Sequence, residues 1–178
     1  VFLVKFYKKL EIICLNITHG KYIFKLFKYI PHLLYIMNYE LLKSALNNPD
    51  NLNFIDYSFD NIHKSKNDIL QKLNYDSDTL KHINKKLKNY IYVENFNDIT
   101  PNSFIKWVNI SNPYNLSLKN GGFFCCFKNI ENPENTTAVV KLFNNKYISI
   151  YLNHNLIFKK ISQQENIILK ALNLINKS

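Results

Sequence analysis

Arginine is missing from this chain: all 23 of its basic residues are lysine. Planar, bidentate recognition of phosphate or guanine is usually the work of Arg, so a sequence-specific reader of duplex DNA is disfavoured. Glycine is almost as scarce. Only Gly20, Gly121 and Gly122 are present, and no glycine-rich phosphate loop can be drawn from them. HExxH helices, GxSxG elbows and Cys/His zinc patterns are absent as well. The three cysteines, with Cys125 and Cys126 adjacent, make neither a CxxC pair nor an even disulfide framework, which points to a reducing compartment and to cysteines acting as small buried hydrophobes. No apolar run approaches the roughly 18 residues needed to span a bilayer. The five histidines are scattered, and carboxylates are sparse after residue 98, where Glu131 and Glu134 share a loop around Pro133. The expectation is a protein that is not an enzyme and that needs no metal and no cofactor.

What fills the chain is Asn, Lys, Ile, Tyr and Phe, residue types that share A/T-rich codons. With 47% apolar residues there is enough material for a core. The net charge of +10 is uneven: residues 1–36 carry +5, 37–98 carry −1 and 99–178 carry +6. A basic C-terminal region beside a nearly neutral one can meet phosphates or an acidic partner through nonspecific electrostatics. The plainer reading is that lysine solvates the surface.

Three regions are expected. Residues 1–36 are apolar and basic without a steady period, and the only methionine, Met37, opens the helical pattern MNYELLKSALNN, so the native start is placed at Met37 and residues 1–36 are read as a leader that is not translated. The rival is a basic membrane-surface arm, which Pro31 interrupts; membrane contact is not expected unless residues 1–36 are real. Residues 37–98 read as a helical arm: helices over 39–48, from Ser58 or Asp60 to about Asn74, and from Asp76 or Ser77 through Tyr90 and Ile91.

From residue 99 the pattern becomes short β runs at 104–110, 122–128, 137–143, 147–152 and 156–159, separated by Asn-Pro, Asn-Gly-Gly and Asn-Asn turn signals. Ser162 and Glu165 then form a capping box that opens a terminal helix. The fold class expected is α+β: N-terminal short helices, a small five-stranded antiparallel SH3-like or OB-like barrel over 99–178, and a C-terminal helix.

Aromatics interleaved with lysines can turn such a module into a nucleic-acid platform, because bases stack on rings while ammonium groups follow phosphates. The candidates are Lys106, Trp107, Tyr114, Lys119, Lys128, Lys141 and Lys146, meeting single strands or structured RNA. Trp107 is equally the natural core anchor of its strand. Asn120, Gly121 and Gly122 read as a structural turn into the next strand rather than a ligand cradle.

The run Ser103-Phe104-Ile105-Lys106-Trp107-Val108, followed by Leu118-Lys119-Asn120-Gly121-Gly122-Phe123-Phe124, resembles a pattern in small β-domain proteins of nucleocytoplasmic large DNA viruses. There an aromatic-Ile-Arg-aromatic strand precedes a Gly-Gly turn. The resemblance spans residues 99–160. It implies a non-enzymatic structural or accessory role as a minor component of a viral assembly, a protein partner within it, and residence in the virion or host cytoplasm. On it Phe104 and Trp107 are the paired aromatics, and Lys106 stands where the pattern has Arg, which removes any bidentate contact. The alternative kept beside it is a nucleic-acid-binding β-barrel protein.

Overall fold

A computed structural model describes residues 39–176 of the chain; the expectations for residues 1–36 lie outside the described residues. Capping chemistry sets the helical boundaries. Helix α1 (Tyr39–Asn47) stops at Asn48, whose side chain accepts the Asp50 N–H and opens a 3-10 helix over Pro49–Asp56. Ser58 accepts the Asn61 N–H to open α2 (Phe59–Gln71), and Asp76 accepts the N–H groups of Asp78 and Thr79 to open α3 (Ser77–Lys86). Helix α3 ends sooner than the apolar spacing predicts. The chain leaves helical geometry at Leu87, and Tyr90–Tyr92 form a strand, β1.

Five more strands follow: β2 (Phe104–Asn109), β3 (Gly122–Lys128), β4 (Thr137–Lys141), β5 (Tyr147–Tyr151) and β6 (Asn155–Lys160), before helix α4 (Gln163–Asn176). They pair antiparallel in the order β1-β6-β2-β3-β4-β5. This corrects the five-stranded barrel: the sheet has six strands and is open. Closure requires the two edge strands to pair, and here the edges are β5 and a β1 only three residues long.

One face of the sheet is an apolar core built from Ile105, Trp107, Phe124, Val140, Ile150 and Ile157. A bulge between Phe124 and Cys126 breaks the alternation of β3, so that Phe124 and Phe127 both reach this core with ring centres 4.5 Å apart. The same bulge leaves Cys125 half-buried and Cys126 exposed, which corrects the expectation of buried cysteines. On the other face, α2 and α3 cover Tyr90, Val108 and Phe158 with Leu70, Ile83 and Leu87. A third cluster joins α1, the first 3-10 helix and α2 to α4 through Leu42, Phe54, Ile62 and Ile168.

Lys66 on α2 is buried, 2% exposed, and its Nζ donates to the Leu87 carbonyl at 2.8 Å and the Tyr90 carbonyl at 3.4 Å. It thereby ties α2 to the end of α3 and the start of β1. Burial holds its ammonium below the ordinary lysine value of 10.5. Between the lowered folded value and 10.5 the unfolded chain binds more protons, so this group makes stability rise with pH in that window. Urea unfolding of the wild type and of Lys66→Met, run from pH 7 upward, should show the wild type gaining on the variant as pH approaches 10.5. A pH-independent difference would contradict the assignment.

Candidate nucleic-acid interface

The register of the sheet lines up one row of side chains across its helix-bearing face. Directly opposed residues in antiparallel strands share a face. Tyr90 on β1 opposes Lys160 on β6; Phe104 on β2, one step beyond the Ile105–Lys159 pair, flanks Lys160 and opposes Phe123 on β3; Phe123 opposes Lys141 on β4; and Lys141 opposes Tyr147 on β5. Five interstrand steps at about 4.8 Å make this row roughly 24 Å long. It runs from the part of the face covered by α2 and α3, where Tyr90 is buried, to the uncovered edge at β5, where Tyr147 is exposed.

The turn from β4 to β5 adds a further ring. The Asn145 N–H donates to the Leu142 carbonyl, and Asn145 itself has φ of 62°, a left-handed position that Asn tolerates. Phe143 is thereby lifted onto the row. Its ring centre lies 5.6 Å from that of Phe104 and 5.9 Å from that of Phe123, while Phe104 and Phe123 are 5.2 Å apart. Phe143 is 72% exposed and Tyr147 62%, values far above what rings of this size show inside a core.

Lysines flank these rings. The Lys106 Nζ sits 5.2 Å from the centre of the Tyr90 ring, and its ammonium is held below the ordinary lysine value by burial first and then by Lys86 and Lys160. Three cations are therefore crowded at one end of the row, with Lys141 within it and Lys146 at the turn beside Tyr147. None of the six strands contains an Asp or Glu. A multiply charged anion placed here relieves like-charge repulsion and meets no carboxylate from the sheet.

Of the residues singled out from sequence, Lys141 lies in the row and Lys106 borders it at the Tyr90 end, while Lys146 sits in the β4–β5 turn, where its carbonyl accepts the Leu142 N–H. Trp107 opposes Ile157 on the inner face at 6% exposure, so it is a core residue and not a stacking platform. Tyr114 is 97% exposed in the loop between β2 and β3, while Lys119 is exposed beside Ser117, which takes its Nζ at 2.8 Å. Lys128 lies at the opposite end of β3 from Phe123. Asn120 precedes Gly121, which adopts φ of 95°, and Gly122 opens β3. Sequence reasoning missed Lys86, Phe123, Phe143, Tyr147 and Lys160. The pairing register, a long-range property, places Phe123, Tyr147 and Lys160 in the row, while Phe143 comes from the β4–β5 turn and Lys86 from the end of α3.

Two clefts are formed by described residues. One, about 460 Å³, opens beside the row at the start of α4, where Phe104, Phe123 and Lys160 line it together with Asp50, Gln164 and Glu165. The other, about 490 Å³, includes Tyr57, Ser65, Tyr92, Glu94 and Asp98. There the Tyr57 hydroxyl donates to Asp98 at 3.3 Å and Ser65 to Glu94 at 2.7 Å. The Tyr57 phenol is pushed up to about 12 by burial, with Asp98 adding to the effect. It is held as a hydrogen-bond donor, not poised as a base. Neither cleft is lined by a histidine. Among the described residues no group of three or more His, Cys, Asp or Glu side chains is placed to hold a metal ion. Among the same residues no helix is long and apolar enough to cross a membrane.

No family model, curated protein or solved structure matches this chain. Its functional reading therefore stands on the row.

Proposed function

We propose that the protein is a non-enzymatic interaction module whose working surface is this aromatic and basic row, and that its partner is a nucleic acid. The observation that carries the reading is the interleaving of exposed rings with lysines along a sheet face whose strands bear no acid. Rings alone would suit an apolar protein partner, and lysines alone would be a solvated surface. Together they match a ligand made of flat bases and regularly spaced phosphates.

The electrostatic part of this reading is tested by salt. With about four phosphate contacts on a single strand, raising salt from about 50 to about 200 mM should weaken binding about 50-fold. Fluorescence anisotropy of a labelled oligonucleotide reads this directly. Absence of binding at about 50 mM salt would overturn the proposal.

A second reading is the accessory assembly role implied by the viral resemblance. What favours it is the edge position of β5, which presents Tyr147 and Tyr151 at 62% and 50% exposure beside an outer strand edge. Its test is a peptide map of purified particles from the source. Tryptic peptides of this chain in the particles support it, and their absence defeats it.

A further inference from the structure

Resting on the nucleic-acid reading above, we infer that the row selects single-stranded over double-stranded nucleic acid and is tolerant of sequence, with bases stacked on Phe143, Tyr147 and Phe123 and phosphates held by Lys106, Lys141 and Lys160. Stacking needs base faces that are free, and in a duplex those faces are covered by neighbouring base pairs. Phe143 stands on a turn at 72% exposure, with its flank supported by Phe104 and Phe123, so it is held in place and still open to solvent. Tyr147, one register step past Lys141, offers a second open ring.

The charge pattern points the same way. Lys160 and Lys141 lie on one line across the sheet with the ring cluster between them, and Lys106 borders that line at the Tyr90 end. A single lane of phosphates fits one line of cations, whereas a duplex presents two backbones with a groove between them. The absence of Arg removes the fork that reads guanine bidentately, so discrimination among bases is expected to be slight.

The test compares a fluorescent oligo(dT) of about 12 nucleotides with a duplex of the same length, using the full 178-residue chain at about 50 mM salt. The single strand is expected to bind at least about tenfold more tightly, and Phe143→Ala and Tyr147→Ala are each expected to weaken it between about fivefold and a hundredfold. Both side chains are largely exposed, so unchanged thermal melting of each variant serves as the folding control. Lys141→Gln and Lys160→Gln should each lower the salt slope by about 0.7 while leaving selectivity for the single strand in place. Equal affinity for strand and duplex, or full affinity in both ring variants, would overturn this inference and leave the general nucleic-acid reading standing. No binding to either would overturn both. Tighter binding to phosphatidylserine vesicles than to the oligonucleotide would also overturn it, and would assign the row to an anionic membrane surface.

Discussion

Replacing Lys159 by Ala should destabilise the fold by about 3–5 kcal/mol, measured by urea unfolding near neutral pH. Lys159 and Glu165 are 4% and 5% exposed and meet at 2.7 Å. The Lys159 Nζ also donates to the Asp98 carbonyl at 2.8 Å and stands 5.0 Å from the centre of the Phe54 ring. Glu165 has its own second duty. Its Oε2 accepts the Ser162 N–H at 2.7 Å while Ser162 Oγ accepts the Glu165 N–H at 3.1 Å, which is the capping box that starts α4.

One ion pair therefore joins strand β6, the segment at Asp98 and the terminal helix. Truncating the lysine strands a buried carboxylate, and that uncompensated charge is the source of the loss. Against the roughly 5–15 kcal/mol typical of a whole domain, the change is large. The double variant Lys159→Met with Glu165→Gln removes both charges, keeps a glutamine able to close the capping box, and should recover most of the loss. If Lys159→Ala alone unfolds at the wild-type urea midpoint, the pair contributes nothing and this description of the junction is wrong.

Alanine at Gly121 or Gly122 should be comparably damaging, at about 2–5 kcal/mol for Gly121 and about 1–3 kcal/mol for Gly122. Gly121 has φ of 95°, and a Cβ there would overlap the Ile105 carbonyl oxygen and come within 2.9 Å of the Phe104 ring. A Cβ at Gly122 would lie 2.6 Å from both the Lys141 carbonyl oxygen and Val140 Cγ1. Each position meets a backbone carbonyl oxygen of the neighbouring strand, so relief requires strands to separate: β2 from β3 at Gly121, β3 from β4 at Gly122. The same strands carry Phe104, Phe123 and Lys141 in the row. Loss of thermal stability should therefore be accompanied by loss of oligonucleotide binding, and a Gly121→Ala protein that melts and binds like the wild type would contradict the proposed close approach.

Local chemistry made much of this fold legible. Of the paired candidates, Ser58 rather than Asp60 and Asp76 rather than Ser77 cap their helices, and Ser162 closes the expected capping box, because capping is decided by residues two or three apart. Tyr90–Tyr92 was misread because Leu87, Tyr90 and Ile91 continue a helical spacing, and only pairing with β6 makes the segment a strand. Whether a sheet closes likewise depends on which edges meet, and neighbouring residues carry no record of that. Lys159 and Lys160 show the limit most clearly. Adjacent in sequence, they point to opposite faces, one into a buried ion pair and the other onto the basic row. Trp107, the single tryptophan, is turned inward by period-two alternation, while its neighbour Lys106 lies on the opposite face against the Tyr90 ring.

The most direct test of the functional account is photocross-linking of an iodouracil-substituted single strand to the 178-residue chain, followed by peptide mapping. The row predicts adducts on the 141–147 segment, at Phe143 and Tyr147, and at Phe123. Adducts confined to the loop around Tyr114, or to residues 1–38, would contradict it.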